Sequence, residues 1–254
     1  MGFDVELPIR YFETSAMAAA FPASSRRLQD LTPDSLKVVE SWPGRSPVAI
    51  MCFDYTQTTV GEYGEIGVCW PVVDSRRKAL PLLPLLLEKY WPRLGWWVHR
   101  LPVTTDIARY AGRTIWGYPK FVGDIGFEWQ DSTRVCTLGE GGSEILRLSI
   151  DTRMPAKPQR FDVVTYTVLE DELLTTRIKV DAVGMRRMRK ADAQLTLGPH
   201  PVGRELAELD LDLSRPIETR WFPTWRAVLP EAERRRPIEG WTPIAEPASE
   251  PKAA

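Results

Sequence analysis

Beyond Pro47 the chain is a succession of short apolar runs broken by tight turns, and that rhythm constrains the fold more than any single motif. Val48–Tyr55 and Ile66–Val73 read as strands separated by a polar loop over Thr56–Gly64. Gly95–Leu101, Phe121–Trp129, Arg134–Leu138 and Glu144–Ile150 read the same way. The last three are divided by Gln130-Asp131-Ser132 and Glu140-Gly141-Gly142-Ser143, turn chemistry that suits a meander. Phe161–Glu170, Leu173–Val183 and Thr219–Val228 supply further strands. Helices are few. Ser24–Leu31 stops before Pro33, and Leu82–Tyr90 has helical spacing behind a proline. Thr104-Thr105-Asp106 caps a helix running to Gly112, and Gly203–Leu209 is a weaker candidate. Many strands with helices at their ends predict an α+β chain, mostly β, built on one curved or barrel-like sheet. Residues 1–230 form a single domain in this reading, and the Pro- and charge-rich residues 231–254 a disordered or draped tail.

Several function classes lose support from composition. A net charge of −1 and a pI near 6.2 give no footprint for nucleic acid or an anionic membrane. Cys52, Cys69 and Cys136 form no CxxC pair and lie in apolar runs, so they read as reduced and buried, which points to the cytoplasm. The acidic start Phe3-Asp4-Val5-Glu6 is no signal peptide, and the leucine-rich Leu80–Leu87 is too short to span a bilayer. Two histidines without a Cys/His cluster leave little material for a zinc site, and no glycine-rich phosphate loop is present.

Lysine is scarce here, eight residues among 33 basic side chains. Seven lie in polar or linker-like contexts, whereas Lys120 sits in Trp116-Gly117-Tyr118-Pro119-Lys120-Phe121. An ammonium in apolar surroundings loses hydration, which favours the neutral amine. A neutral amine can attack a carbonyl carbon and form a Schiff base. Lys120 is therefore a candidate nucleophile, its alternative reading being a surface lysine after a Tyr-Pro turn.

The stretch from His99 to Lys120 resembles the acetoacetate decarboxylase family through Gly112-Arg113, Tyr118-Pro119-Lys120 and the upstream His99. Tyr63-Gly64-Glu65, opening a strand, and the Arg26-Arg27-Leu28 helix before Pro33 extend the likeness. Decarboxylases of this family are themselves the standard example of a lysine activated by desolvation or a cationic neighbour. The resemblance implies a closed, cone-shaped β-barrel of antiparallel strands with peripheral helices, and a homo-oligomer. It implies Lys120 as Schiff-base lysine, Glu65 as active-site carboxylate, and Arg10 as the nearest counterpart of an N-terminal active-site arginine. It also implies no metal and no organic cofactor, the iminium itself being the electron sink. Trp116, Tyr118 and Phe121 are candidates to wall the substrate pocket, against the plainer reading that they only pack. Arg113 reads as tying down the loop before Lys120, and His99 as a core histidine.

Two departures matter. The family's decarboxylases carry a second lysine where this chain has Phe121, and an acidic residue where gapless comparison places Val48. The expected activity is decarboxylation of a β-keto acid through an iminium on Lys120. The alternatives are an aldolase or dehydratase acting on a 2-oxo acid, and a non-catalytic barrel holding an apolar carbonyl ligand.

Overall fold

The computed structural model describes residues 3–75, 94–153, 155–187, 192–238, 241 and 247. Its strands are β1 (Ile9–Ser24), β2 (Leu36–Val38), β3 (Arg45–Thr58), β4 (Tyr63–Asp74), β5 (Gly95–Arg100), β6 (Asp124–Gln130), β7 (Thr133–Glu140), β8 (Ser143–Asp151), β9 (Lys157–Leu169), β10 (Glu172–Arg187), β11 (Ala193–Leu197), β12 (Glu218–Leu229) and β13 (Arg234–Pro237). The helices are α1 (Ser25–Asp30), α2 (Asp106–Trp116) and α3 (Pro201–Glu208).

Hydrogen bonding runs β12-β1-β3-β4-β5-β9-β10, and a β10–β12 pairing closes the ring into a seven-stranded barrel. Closure removes the exposed edges that a sheet this long would otherwise present. One pair departs from the expected antiparallel pattern: β5 runs parallel to β9, with Trp96 opposite Thr165. A second sheet, ordered β11-β8-β7-β6, is the meander legible in the turns, extended by β11.

The barrel strands separate two apolar regions by side-chain alternation. On β4 every residue is buried, because one face looks into the barrel and the other under the second sheet. Ile66, Val68, Trp70 and Val72 join Val48 and Ile50 of β3, Phe21 of β1 and Leu146 and Leu148 of β8 in the core between the sheets. Cys69 of β4, Phe53 and Tyr55 of β3 and Trp225 of β12 belong to the barrel interior.

The structure differs from the sequence expectation in instructive places. β1 is a 16-residue strand over an alanine-rich segment that carries no strand signal. Alanine favours helix and is depleted in strands, but β1 pairs along its length with β3 on one side and β12 on the other, and that pairing decides. The loop between β3 and β4 is shorter than Thr56–Gly64, because β3 continues to Thr58. β6 begins at Asp124 rather than Phe121. α2 runs past Gly112 to Trp116, and its left-handed C-terminal residue is Gly117 at φ 63°. Within the stretch expected to be a disordered or draped tail, Arg234–Pro237 adds a strand to β10. Arg236 of this strand faces Asp74 at 3.4 Å and donates to the Ser35 carbonyl at 2.9 Å. The helix expected over Leu82–Tyr90 lies outside the described residues.

α3 is fastened to β5 by a charged cluster. Glu205 accepts from Arg100 at 2.5 and 3.1 Å, and its Oε1 lies 2.5 Å from Nε2 of His99. Burial pushes the Glu205 carboxyl up, but hydrogen bonds from His99 and Arg100 outweigh it and hold its pKa down at about 2. Burial lowers the His99 pKa below the usual imidazole range. The depressed carboxylate stabilises the fold above its unfolded pKa of about 4.3 and loses that contribution as pH falls toward about 2. Glu205→Gln is expected to cost about 2 kcal/mol at pH 7, below the value for a fully buried pair because Glu205 is partly exposed. Urea unfolding should also show less loss of stability between pH 4.5 and pH 2 than in the unmodified protein.

Candidate active site

Three extended segments lie side by side at one end of the barrel. Glu65, near the start of β4, forms a bridge with Val103, and Val103 forms a parallel bridge with Val122. Leu101 and Val103 donate to the carbonyls of Pro119 and Phe121 at 3.2 and 2.9 Å, so the Tyr118–Phe121 segment is pinned like a strand. Proline at 119 suits this place, since it fixes the backbone and leaves only its carbonyl to be bonded. Arg113 of α2 donates to the Lys120 carbonyl at 2.9 Å, the loop-tying role read from the sequence.

The Lys120 side chain crosses α2 at Gly112. A β-carbon at Gly112 would lie 2.5 Å from Cδ and 2.6 Å from Cε of Lys120. This is why a glycine stands inside the helix, where it costs about 1 kcal/mol relative to alanine. Gly117 is constrained from another side, because a β-carbon there would lie 2.2 Å from the Val168 carbonyl oxygen.

Lys120 Nζ donates to Oε2 of Glu65 at 2.6 Å, and both residues are buried, at 5% and 7% exposure. Oε1 of Glu65 accepts from the Tyr55 hydroxyl at 3.1 Å. The ammonium also lies 5.6 Å from the ring centre of Tyr63 and 6.0 Å from that of Tyr118. The pair opens on a cavity of about 90 Å³ whose walls include Met51, Phe53, Trp96, Val98, Ile178 and Trp225. Among the described lining residues Lys120 is the one cation and Glu65 the one carboxylate.

Burial, reinforced by the Glu65 charge, raises the phenol pKa values of Tyr11, Tyr55 and Tyr118 above the usual tyrosine range. Tyr63 shares the shift from burial and from its neighbours Tyr11 and Glu65. All four are neutral phenols. The same two causes push the Cys69 thiol up to about 12, so it is no nucleophile.

The other sequence candidates are placed differently. Tyr118 lines the cavity, its hydroxyl 2.9 Å from Thr165. Trp116 is buried behind it, 6.2 Å away ring to ring, and donates to the Pro230 carbonyl at 2.8 Å. Phe121 points the opposite way, into the core between the sheets. Arg10 stands on the outer face of β1, exposed, where with Phe12, Lys179 and Arg226 it lines a groove of about 980 Å³ that shares the walls Tyr11, Trp96 and Ala227 with the Lys120 cavity. Val48 also faces the core between the sheets, and the cavity face of β3 carries Met51, Phe53 and Tyr55. His99, with its Trp70 contact at 4.8 Å and its Glu205 partner, is a core histidine. Sequence reasoning missed Tyr55. Its only signal was alternation along β3, with Phe53 opposite Glu65 and Tyr55 opposite Tyr63.

The chain matches the model of the acetoacetate decarboxylase (ADC) family from residue 4 to residue 225. It belongs to that family. None of the curated proteins matches it by sequence. Solved structures share its fold at low identity. The acetoacetate decarboxylase of Legionella pneumophila has a TM-score of 0.63 at 15% identity, covering 94% of this chain and 93% of that one. The enduracididine biosynthesis enzyme MppR with HEPES bound has a TM-score of 0.67 at 12% identity, covering 93% and 90%. An acetoacetate decarboxylase-like enzyme from Sphingomonas wittichii RW1 has a TM-score of 0.57 at 14% identity, covering 92% and 95%. Among the described residues, no group of His, Cys, Asp and Glu could hold a metal ion, and no helix is long and apolar enough to cross a membrane.

Gly112→Ala is expected to displace Lys120 from Glu65 while leaving the barrel folded. The measurement is covalent capture of Lys120 by a ketone and borohydride, which should fall at least tenfold with circular dichroism unchanged.

Proposed function

We propose that this protein is a Schiff-base carbon–carbon lyase that decarboxylates a small β-keto acid through Lys120. One observation carries the reading: a buried lysine paired with a single carboxylate at 2.6 Å, facing an apolar cavity. Proton transfer from the Lys120 ammonium to Glu65 yields the neutral amine that attacks the ketone carbon. Loss of water leaves a protonated imine, whose positive charge Glu65 faces. The bond to the carboxylate then breaks, CO2 departs, and its electron pair enters the iminium as an enamine. A proton returns to the enamine carbon, and hydrolysis frees the ketone and Lys120. An apolar cavity favours the bond-breaking step, because the localised carboxylate charge disperses as CO2 leaves.

The volume bounds the substrate. An apolar cavity of about 150 Å³ accommodates benzene, so about 90 Å³ suits a shorter carbon skeleton. Tyr118 and Trp96 serve as walls in this proposal, Trp116 as backing and Phe121 as packing on the far side. Arg10 takes no part within one chain. The protein works in the cytoplasm as a homo-oligomer, a reading supported by its three buried free cysteines and by the family it belongs to.

A second reading has one specific support. A structure of MppR complexed with pyruvate has a TM-score of 0.62 to this chain at 11% identity, covering 93% and 92%. The same imine would then serve aldol-type chemistry on a 2-oxo acid.

Borohydride reduction in the presence of acetoacetate should add mass to the peptide containing Lys120, and Lys120→Ala should give no adduct. Activity of Lys120→Ala should fall more than about a thousandfold. CO2 release from β-keto acids decides between the readings: capture of pyruvate without CO2 from any β-keto acid would favour aldol-type chemistry. No adduct with either ligand would overturn both.

A further inference from the structure

With one carboxylate among the described lining residues, the same group must serve the nitrogen of Lys120 and the proton economy of the substrate carbon. A glutamate is ill suited to that double task by itself, because rotation about its terminal bond is soft and both oxygens can turn toward the cation. Here the rotation is fixed. Oε2 faces Lys120 at 2.6 Å, and Oε1 accepts from Tyr55 at 3.1 Å.

Tyr55 is itself held rigidly. Its ring lies parallel to Phe53, 5.4 Å away, and is wedged between Tyr11 at 4.6 Å and Tyr63 at 4.7 Å. β3–β4 pairing sets Tyr55 diagonally across from Glu65, within reach of a long side chain. The hydroxyls of Tyr11 and Tyr63 lie 3.2 Å apart, and that of Tyr118 lies 2.9 Å from Thr165, so Tyr55 is the phenol recorded on the carboxylate. The titratable groups facing Glu65 are Lys120, the four tyrosines and Cys69. Burial and the Glu65 charge keep the Tyr55 phenol protonated, so it orients the carboxylate rather than relaying a proton through a phenolate.

We propose that Tyr55 is the positioning residue of this site, holding one oxygen of Glu65 so that the other, already on the Lys120 nitrogen, is aimed for the proton transfer at the substrate's α-carbon. The proposal rests on the Schiff-base reading above. In the step concerned, protonated Glu65 gives its proton to the enamine carbon, the enamine electrons form the new C–H bond, and the nitrogen becomes an iminium facing the carboxylate. Tyr55 keeps its own proton throughout.

The test separates imine formation from carbon protonation, using the full chain and acetone as the probe. Borohydride capture reports the imine, and deuterium incorporation into acetone from D2O reports proton transfer at carbon. Tyr55→Phe should capture acetone within about threefold of the unmodified protein but exchange deuterium at least tenfold more slowly. Added to Glu65→Gln, which removes the acid itself, Tyr55→Phe should bring no further loss, because it acts through the group already removed. Exchange by Tyr55→Phe within threefold of the unmodified protein would overturn the proposal. So would a parallel fall of capture and exchange, or additive losses in the double variant, each of which marks a merely structural role. Absence of any adduct in the unmodified protein would instead overturn the Schiff-base reading, and the role of Tyr55 with it.

Discussion

A buried ion pair holds the logic of this molecule together. Removing an ammonium and a carboxylate from water costs several kcal/mol per ion, and replacing such a pair with apolar residues often leaves a protein equally stable or more so. Lys120 and Glu65 are therefore a costly feature in an interior otherwise filled by aromatic and aliphatic side chains. The architecture around them accounts for how that cost is met. Adjacent extended segments bring the two chains together, Tyr55 satisfies the second carboxylate oxygen, and aromatic rings face the ammonium. Gly112 leaves room for the lysine stem, and Arg113 holds its backbone.

Barrel closure gives that arrangement a mainly apolar interior. The strands are two-faced, and what they carry on the outer side matters as much as what they carry inside. Ile66 and Trp70, alternating with Glu65 and Cys69 on β4, anchor the strand beneath the second sheet. The strand that carries Glu65 is thus clamped by a core that does not line the cavity. α3 adds a separate electrostatic fastening through Glu205, His99 and Arg100, on the side of β5 facing away from the cavity.

The departures from the decarboxylase pattern take on meaning once facing is known. Phe121 and Val48 both belong to the core between the sheets, so neither position presents its side chain to the cavity. The cavity face of β3 offers Met51, Phe53 and Tyr55, and the one polar group among them is a phenol. In the reading proposed here, a proton inventory reduced to one carboxylate is compensated by restricting how that carboxylate can turn.

By itself the sequence determined the β-rich class, the meander and the unusual setting of Lys120, because alternation, turn residues and local apolar context are properties of short segments. Its likeness to a family was readable for the same reason, in Tyr118-Pro119-Lys120 and Tyr63-Gly64-Glu65. Only the tertiary structure decided which residues share the cavity. The register shifts between Tyr11 and Thr14 change which faces of β1 look inward, and Arg10 is left outside. Pairing on both sides made a strand of the alanine-rich β1 against its local preference. Tyr55 reached Glu65 through the β3–β4 register, a relation between two segments that neither segment encodes alone.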